Sequence, residues 1–170
     1  MIGRPESTEA AAYYFTYINQ VPDLDPLKAI EKQLEESREL FATISEERSL
    51  HRYAPGKWSI REVLNHVTDT ERAFAFRALW FARGFDTPLP SYDQNVSVAG
   101  AEADRVSWAD HVEEFRRVRL ATVPLFKNMP ADGWTRSGIA SDNRFTVRAL
   151  AYIIPGHLAH HLKIVRERYL

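Results

Sequence analysis

Cysteine is absent from the 170 residues. That excludes disulfides, thiolate metal sites and a cysteine nucleophile, so any metal must be held by His, Asp or Glu. Net charge is nearly absent too: 22 Lys and Arg stand against 23 Asp and Glu, a formal −1. No basic excess argues for nucleic acid, and no basic helix face argues for a membrane surface. No apolar run approaches the roughly 20 residues of a membrane span. The opening MIGRPESTEAAAYYF lacks the basic-then-apolar order of a signal peptide. A cytoplasmic location is expected. No tandem repeat or low-complexity tract interrupts the chain.

What is present is ordinary in bulk, with 45% apolar and 26% charged residues, the balance of a globular protein. The length suits one domain over residues 1–170 with its own core. Residues 1–25 read as an N-terminal extension, with a short helix expected around 9–19.

Four long segments carry helical periodicity. In the first, Asp25 is an N-cap and Pro26 the first helical residue. Leu27, Ile30, Leu34, Phe41 and Ile44 form one apolar stripe, with Ser37 in the missing place. The second opens on Ser59-Ile-Arg-Glu62, a capping box, and runs to about Arg83, where Gly84 ends it. Its inner side is Ile60, Val63, Val67, Phe74, Ala78 and Phe81. Residues 84–106, with Pro88, Pro90 and Gly100, read as one long connection of the kind that often carries function. The third starts at Ser107 and carries Trp108, Val112, Phe115, Val118 and Leu125; Pro124 should kink it or cut it short. Residues 130–144 form a further joint. The fourth starts near Phe145 or Thr146. The expectation is an all-α four-helix bundle with a long crossover between its second and third helices. No segment shows a convincing strand alternation.

The fourth segment contains the most informative pattern. Val147, Leu150, Ile154, His157, His161 and Ile164 follow at spacings of 3, 4, 3, 4 and 3. Two imidazoles therefore take successive positions of the core stripe. Residues i and i+4 lie about 40° apart around a helix, so both can address one ion. Two core histidines bonded to neighbours would leave the same pattern. A third ligand should come from a facing helix, and His66, beside Val67, is the best candidate. His160 points about 100° away from His161. His51 and His111 read as surface residues. Pro155-Gly156 makes either room above His157 or a packing kink.

Three nitrogen ligands leave coordination positions open, the pattern of a catalytic rather than a structural site. An open position activates water for hydrolysis or ionises a substrate thiol. Asp69, three residues after His66, could orient an imidazole or act as a base. Glu71 points elsewhere and reads as exposed. Arg77 returns to the His66 face and could hold an anionic substrate. Tyr92, Asp93 and Asn95 could close over a pocket. Trp80, Trp108, Phe115 and Trp134 read as core.

Three stretches resemble the DinB/YfiT-like superfamily of small four-helix proteins. GKWSIREVLNHVTD, residues 56–69, is similar to the family's entry into its second helix. PLPSYDQNVSV is similar to the crossover of YfiT-like members, and YIIPGHLAHHLKIV matches the family's closing H-x-x-H-H-x-x-x-I. The resemblance implies that His66, His157 and His161 bind a divalent metal in a bundle with one long crossover. It also implies a metal-dependent enzyme, either a hydrolase or a transferase of low-molecular-weight thiols, and a homodimer. Pro155-Gly156 departs from the family, many members of which have an aromatic residue there.

The expected protein is thus a metalloenzyme acting on a small molecule, with no nucleic-acid or membrane partner. Zinc or nickel suits three imidazoles, and iron or manganese fits as well. Thiol transfer is preferred on the resemblance alone, with hydrolysis close behind. A non-catalytic binding bundle is the remaining alternative.

Overall fold

A computed structural model describes residues 2–22 and 25–170. The chain is mostly helical, with one small two-stranded sheet. After a 3-10 turn at Ala12–Tyr14 come α1 (Phe15–Ile18), α2 (Pro26–Ala42), α3 (Ile60–Ala82), α4 (Gln94–Ala101) and α5 (Trp108–Lys127). A hairpin follows, β1 (Ser137–Ala140) and β2 (Asn143–Thr146), and then α6 (Val147–Ile164), which a π turn extends through Tyr169.

Side chains at the helix starts set the boundaries. The Asp25 carboxylate accepts from the Leu27 amide, with Pro26 in the first turn. Ser59 and Glu62 form the reciprocal capping box of α3, which satisfies two otherwise free backbone donors. Ser107 caps α5 and Thr146 caps α6. Gly84, at φ +84°, lies just past the end of α3, in the left-handed region that stops a helix. Pro124 lies inside α5, which continues past it to Lys127, so the proline does not itself end the helix.

Contacts along the helices fix their directions. Arg136 near the hairpin donates to the carbonyl of Ala82 at the end of α3, while Tyr169 past the end of α6 donates to Trp58 just before α3. So α3 and α6 are antiparallel. Arg61 reaches the Val106 carbonyl at one end of α3, and Glu71 meets Arg119 further along both helices, so α3 and α5 are parallel. Gln33 donates to the Pro155 carbonyl and Arg48 to that of Tyr169, which makes α2 and α6 parallel. Two parallel neighbours in sequence, α3 and α5, need a chain segment that returns the length of the bundle.

That return segment is more structured than its sequence suggests. Residues 84–106 contain α4, capped by Asp93, whose carboxylate accepts from the Asn95 and Val96 amides. The joint at 130–144 also differs from expectation. It holds most of the hairpin, with Ser141 and Asp142 as its two-residue turn at φ +51° and +60°. Each strand has only four residues, too few for alternation to stand out. Leu89 bridges to Ala140 and ties the hairpin to the return segment.

α6 is the centre of the molecule. Every residue from Ala149 to Leu158 is buried, as suits a helix that is apolar all round. α3, α2 and α1 pack around it. The N-terminal segment is part of this core: Ile18 and Val21 are almost fully buried. Each such side chain contributes about 1.5–3 kcal/mol on leaving water.

Candidate metal centre

His66 projects from the second turn of α3, and His157 and His161 project from the C-terminal half of α6. The antiparallel crossing brings the three together. The Nε2 atom of His157 lies 3.2 Å from that of His66 and 3.1 Å from that of His161. One ligand atom from each imidazole lies within 4.8 Å of the other two, and no carboxylate joins them among the described residues. His66 and His157 are buried and His161 is half-buried.

Hydrogen bonding alone cannot satisfy this arrangement. A neutral imidazole has one N–H and one lone pair, and each nitrogen offers only one of the two. The His157 Nε2 atom faces two nitrogens but can donate to one or accept from one, not serve both. At least one close contact is left unsatisfied unless a cation lies between them. The spacing also fits an ion. Nitrogens about 2.0–2.1 Å from a tetrahedral zinc lie about 3.3 Å from one another.

Burial keeps the imidazoles neutral, which is the form that ligates. It pushes His66 down to about 4. Burial also lowers His161 to about 3, helped by His66 and His160. His157 falls well below the usual range, first by burial and then through His161, His66 and His160. Thr70, one turn after His66, sets its ring: the hydroxyl lies 3.3 Å from Nδ1. The Trp58 ring packs against His66, with centroids 5.0 Å apart.

Asp69 does not take the orienting place foreseen for it. Its carboxylate pairs with Arg72 at 2.9 Å, outside the histidine group and outside the cavity lining. Position i+4 from His66, not i+3, stands over the ring, and that position is Thr70. Glu71 is not exposed but buried, 2.9 Å from the buried Arg119. His111 is likewise buried, with Nε2 2.8 Å from the Ala103 carbonyl, whereas His51 is exposed. His160 is half-buried against the Tyr17 ring. Trp108 and Phe115 are core, while Trp80 and Trp134 are only partly buried.

A cavity of about 130 Å³ opens onto His66 and His157. Its walls include Arg77 and Tyr92, both singled out by sequence, with Phe74, Thr70, Ser141 and Gln94. Asp93 serves as a helix cap and Asn95 is exposed on α4. Tyr13, Tyr14 and Tyr17 close one side. Sequence reasoning missed these three because they come from the segment taken as an extension; the density of aromatics in YYFTY was the available signal. Tyr17 lies edge-on to His157, with centroids 5.3 Å apart. A second cavity, about 270 Å³, meets the cluster at His161 and is lined by Tyr53, Trp58 and Tyr169.

The family model of the DinB superfamily matches residues 29–165. The chain belongs to the DinB superfamily. Among solved structures, this DinB-superfamily chain is similar to YfiT from Bacillus subtilis, described as a probable metal-dependent hydrolase with an unusual four-helix bundle topology. The TM-score is 0.68 at 14% identity, over 95% of this chain and 91% of that one. It is also similar to a mycothiol-dependent maleylpyruvate isomerase, with TM-score 0.68 and 11% identity over 85% of this chain. The match spans only 61% of the isomerase. At such identities the likeness is one of fold. No curated protein matches the sequence.

Proposed function

We propose that this chain is a divalent-metal-dependent enzyme whose ion is held by His66, His157 and His161. The observation that carries it is the convergence of three neutral imidazole nitrogens that hydrogen bonding cannot satisfy, at the edge of a cavity. A bound divalent ion supplies Lewis acidity, ionising a thiol or water that reaches it. Zinc or nickel is the first choice for this donor set, with iron or manganese also suited. The residues around it do the rest. Thr70 fixes the His66 ring, and Tyr17 and Trp58 hold the imidazoles in place.

The reaction proposed is transfer of a low-molecular-weight thiol to an electrophilic small molecule. Support comes from the fold shared with a mycothiol-dependent enzyme and from a cavity beside the ligands whose walls are rich in aromatic residues. Hydrolysis is the second reading, favoured by the fold shared along nearly the full length of YfiT. Homodimerisation and a cytoplasmic location are further parts of the proposal.

The deciding test is elemental analysis of tag-free protein after dialysis, beside a His157→Ala/His161→Ala variant. Close to one equivalent of a transition metal is expected in the wild type, and none in the variant. Equal, low metal in both after zinc or nickel loading would make the histidines core residues only. The loaded protein should then consume thiol with monochlorobimane, and a His157→Ala control should not. Acid release from esters without thiol would select hydrolysis instead.

A further inference from the structure

Arg77 is 5% exposed and lines the same cavity as His66 and His157. A buried guanidinium usually has a carboxylate partner, because leaving a charge uncompensated in the interior costs several kcal/mol. Arg77 has none among the described residues. Its Nη2 atom donates to the Ser141 hydroxyl at 2.8 Å, its guanidinium lies 5.7 Å from the Phe74 ring centroid, and it interacts with the Tyr14 hydroxyl. These are neutral groups, and they leave several of its five N–H donors free to serve a ligand.

Ser141 and Asp142 both adopt positive φ, as the two-residue turn of a tight hairpin requires. The Ser141 amide bonds the Leu89 carbonyl, and Leu89 bonds the Ile139 carbonyl, so the return segment braces the turn. Asn143 donates to the Ser141 carbonyl at 2.6 Å. This braced turn sets one hydroxyl against a guanidinium that has no carboxylate partner among the described residues.

We propose that Arg77, with Ser141 and Tyr14, is a subsite for the carboxylate of a small acid whose other end addresses the three histidines. This rests on the metal-dependent reading above and adds to it the class of substrate. Arg77 is the only cationic side chain among the cavity's lining residues. One planar guanidinium matches one carboxylate; a phosphate dianion would call for more positive charge. Eleven residues separate His66 from Arg77, about 16 Å of helix. The Arg77 side chain leans back toward the helix N-terminus, which leaves on the order of 10 Å for the ligand to span. The walls between are Phe74 and Tyr14, so the middle of that ligand is apolar.

The test uses 6-mercaptohexanoate and its neutral counterpart 6-mercaptohexan-1-ol, titrated calorimetrically into zinc-loaded protein. The acid should bind about tenfold or more tightly than the alcohol, as expected for one charge-assisted contact. Arg77→Gln should bring the two within about twofold by weakening the acid more than the alcohol. Ser141→Ala, on the half-buried turn, should lower the preference by roughly threefold and serves as the second variant if Arg77→Gln does not fold. Equal affinities in the wild type, or a preference that survives Arg77→Gln, would overturn the proposal. Hexanoate binding to metal-free protein, followed by saturation-transfer NMR, separates this from the metal. Hexanoate bound by the wild type and lost in Arg77→Gln supports the subsite even if zinc fails to bind. No hexanoate binding in either state of the wild type would remove it.

Discussion

Gly156 lies directly before His157, and sequence alone left its purpose open between room for a ligand and tight packing. The structure decides for packing. A Cβ at this position would fall inside contact distance of the Tyr17 carbonyl, which is backbone and cannot swing aside. The missing side chain lets α1 press onto α6, and that approach sets the Tyr17 ring against His157. Gly156→Ala should therefore destabilise the fold by about 1–3 kcal/mol, the usual cost of overpacking, despite its better helix propensity. Urea unfolding reads this directly; an unchanged midpoint would mean that α1 does not bear on α6. The three histidines were legible because they share the period of the apolar stripe around them. Glu71 and His111 were not, because a charged or titratable residue is assigned to the surface unless its partner is known. Each partner, Arg119 and the Ala103 carbonyl, comes from another element of the fold.

At the scale of elements, the helices with strong caps were the readable ones. Asp25, Ser59 and Ser107 are local signals, and each sits at the start of a helix. The hairpin and α4 were hidden because their stability comes from what they touch rather than from their own pattern. The N-terminal segment is a similar case. The Glu9 carboxylate receives Arg148, the Thr146 hydroxyl at 2.7 Å and the Glu6 amide at 3.0 Å, clamping residues 6–9 to the start of α6. Burial acts to raise the Glu9 carboxyl, but these donors outweigh it and hold it below its ordinary 4.5. A carboxyl lowered in the folded state stabilises above its unfolded value and loses that contribution as pH falls through the folded one. Glu9→Gln should thus cost roughly 1–3 kcal/mol near neutrality. The gap between wild type and variant should close below about pH 4.5, where the wild-type carboxyl takes up its proton. Thermal melts from pH 3 to 8 would show it; a gap that does not change with pH would mean that charge plays no part in the clamp.

Across the whole molecule, the parallel pairing of α3 and α5 is the feature that demands the long return segment, and the Glu71–Arg119 pair lies in that interface. It is a costly link. Arg119 is fully buried, and burial pushes its guanidinium down and the Glu71 carboxyl up, each charge having lost its water. The Nη1 and Nη2 atoms of Arg119 have no hydrogen-bond partner among the described residues. A pair this incompletely satisfied adds little net stability, yet removing one member strands the other charge. Glu71→Leu alone or Arg119→Met alone should lower stability by about 3–5 kcal/mol, whereas the double variant should match or exceed the wild type. Urea denaturation of the three variants and the wild type gives the coupling energy directly. Additive losses would mean zero coupling, with each side chain acting through its own packing and not through the other, and would overturn this account. Recovery in the double variant would mean that the two charges compensate each other without adding net stability, as desolvation that offsets their attraction requires.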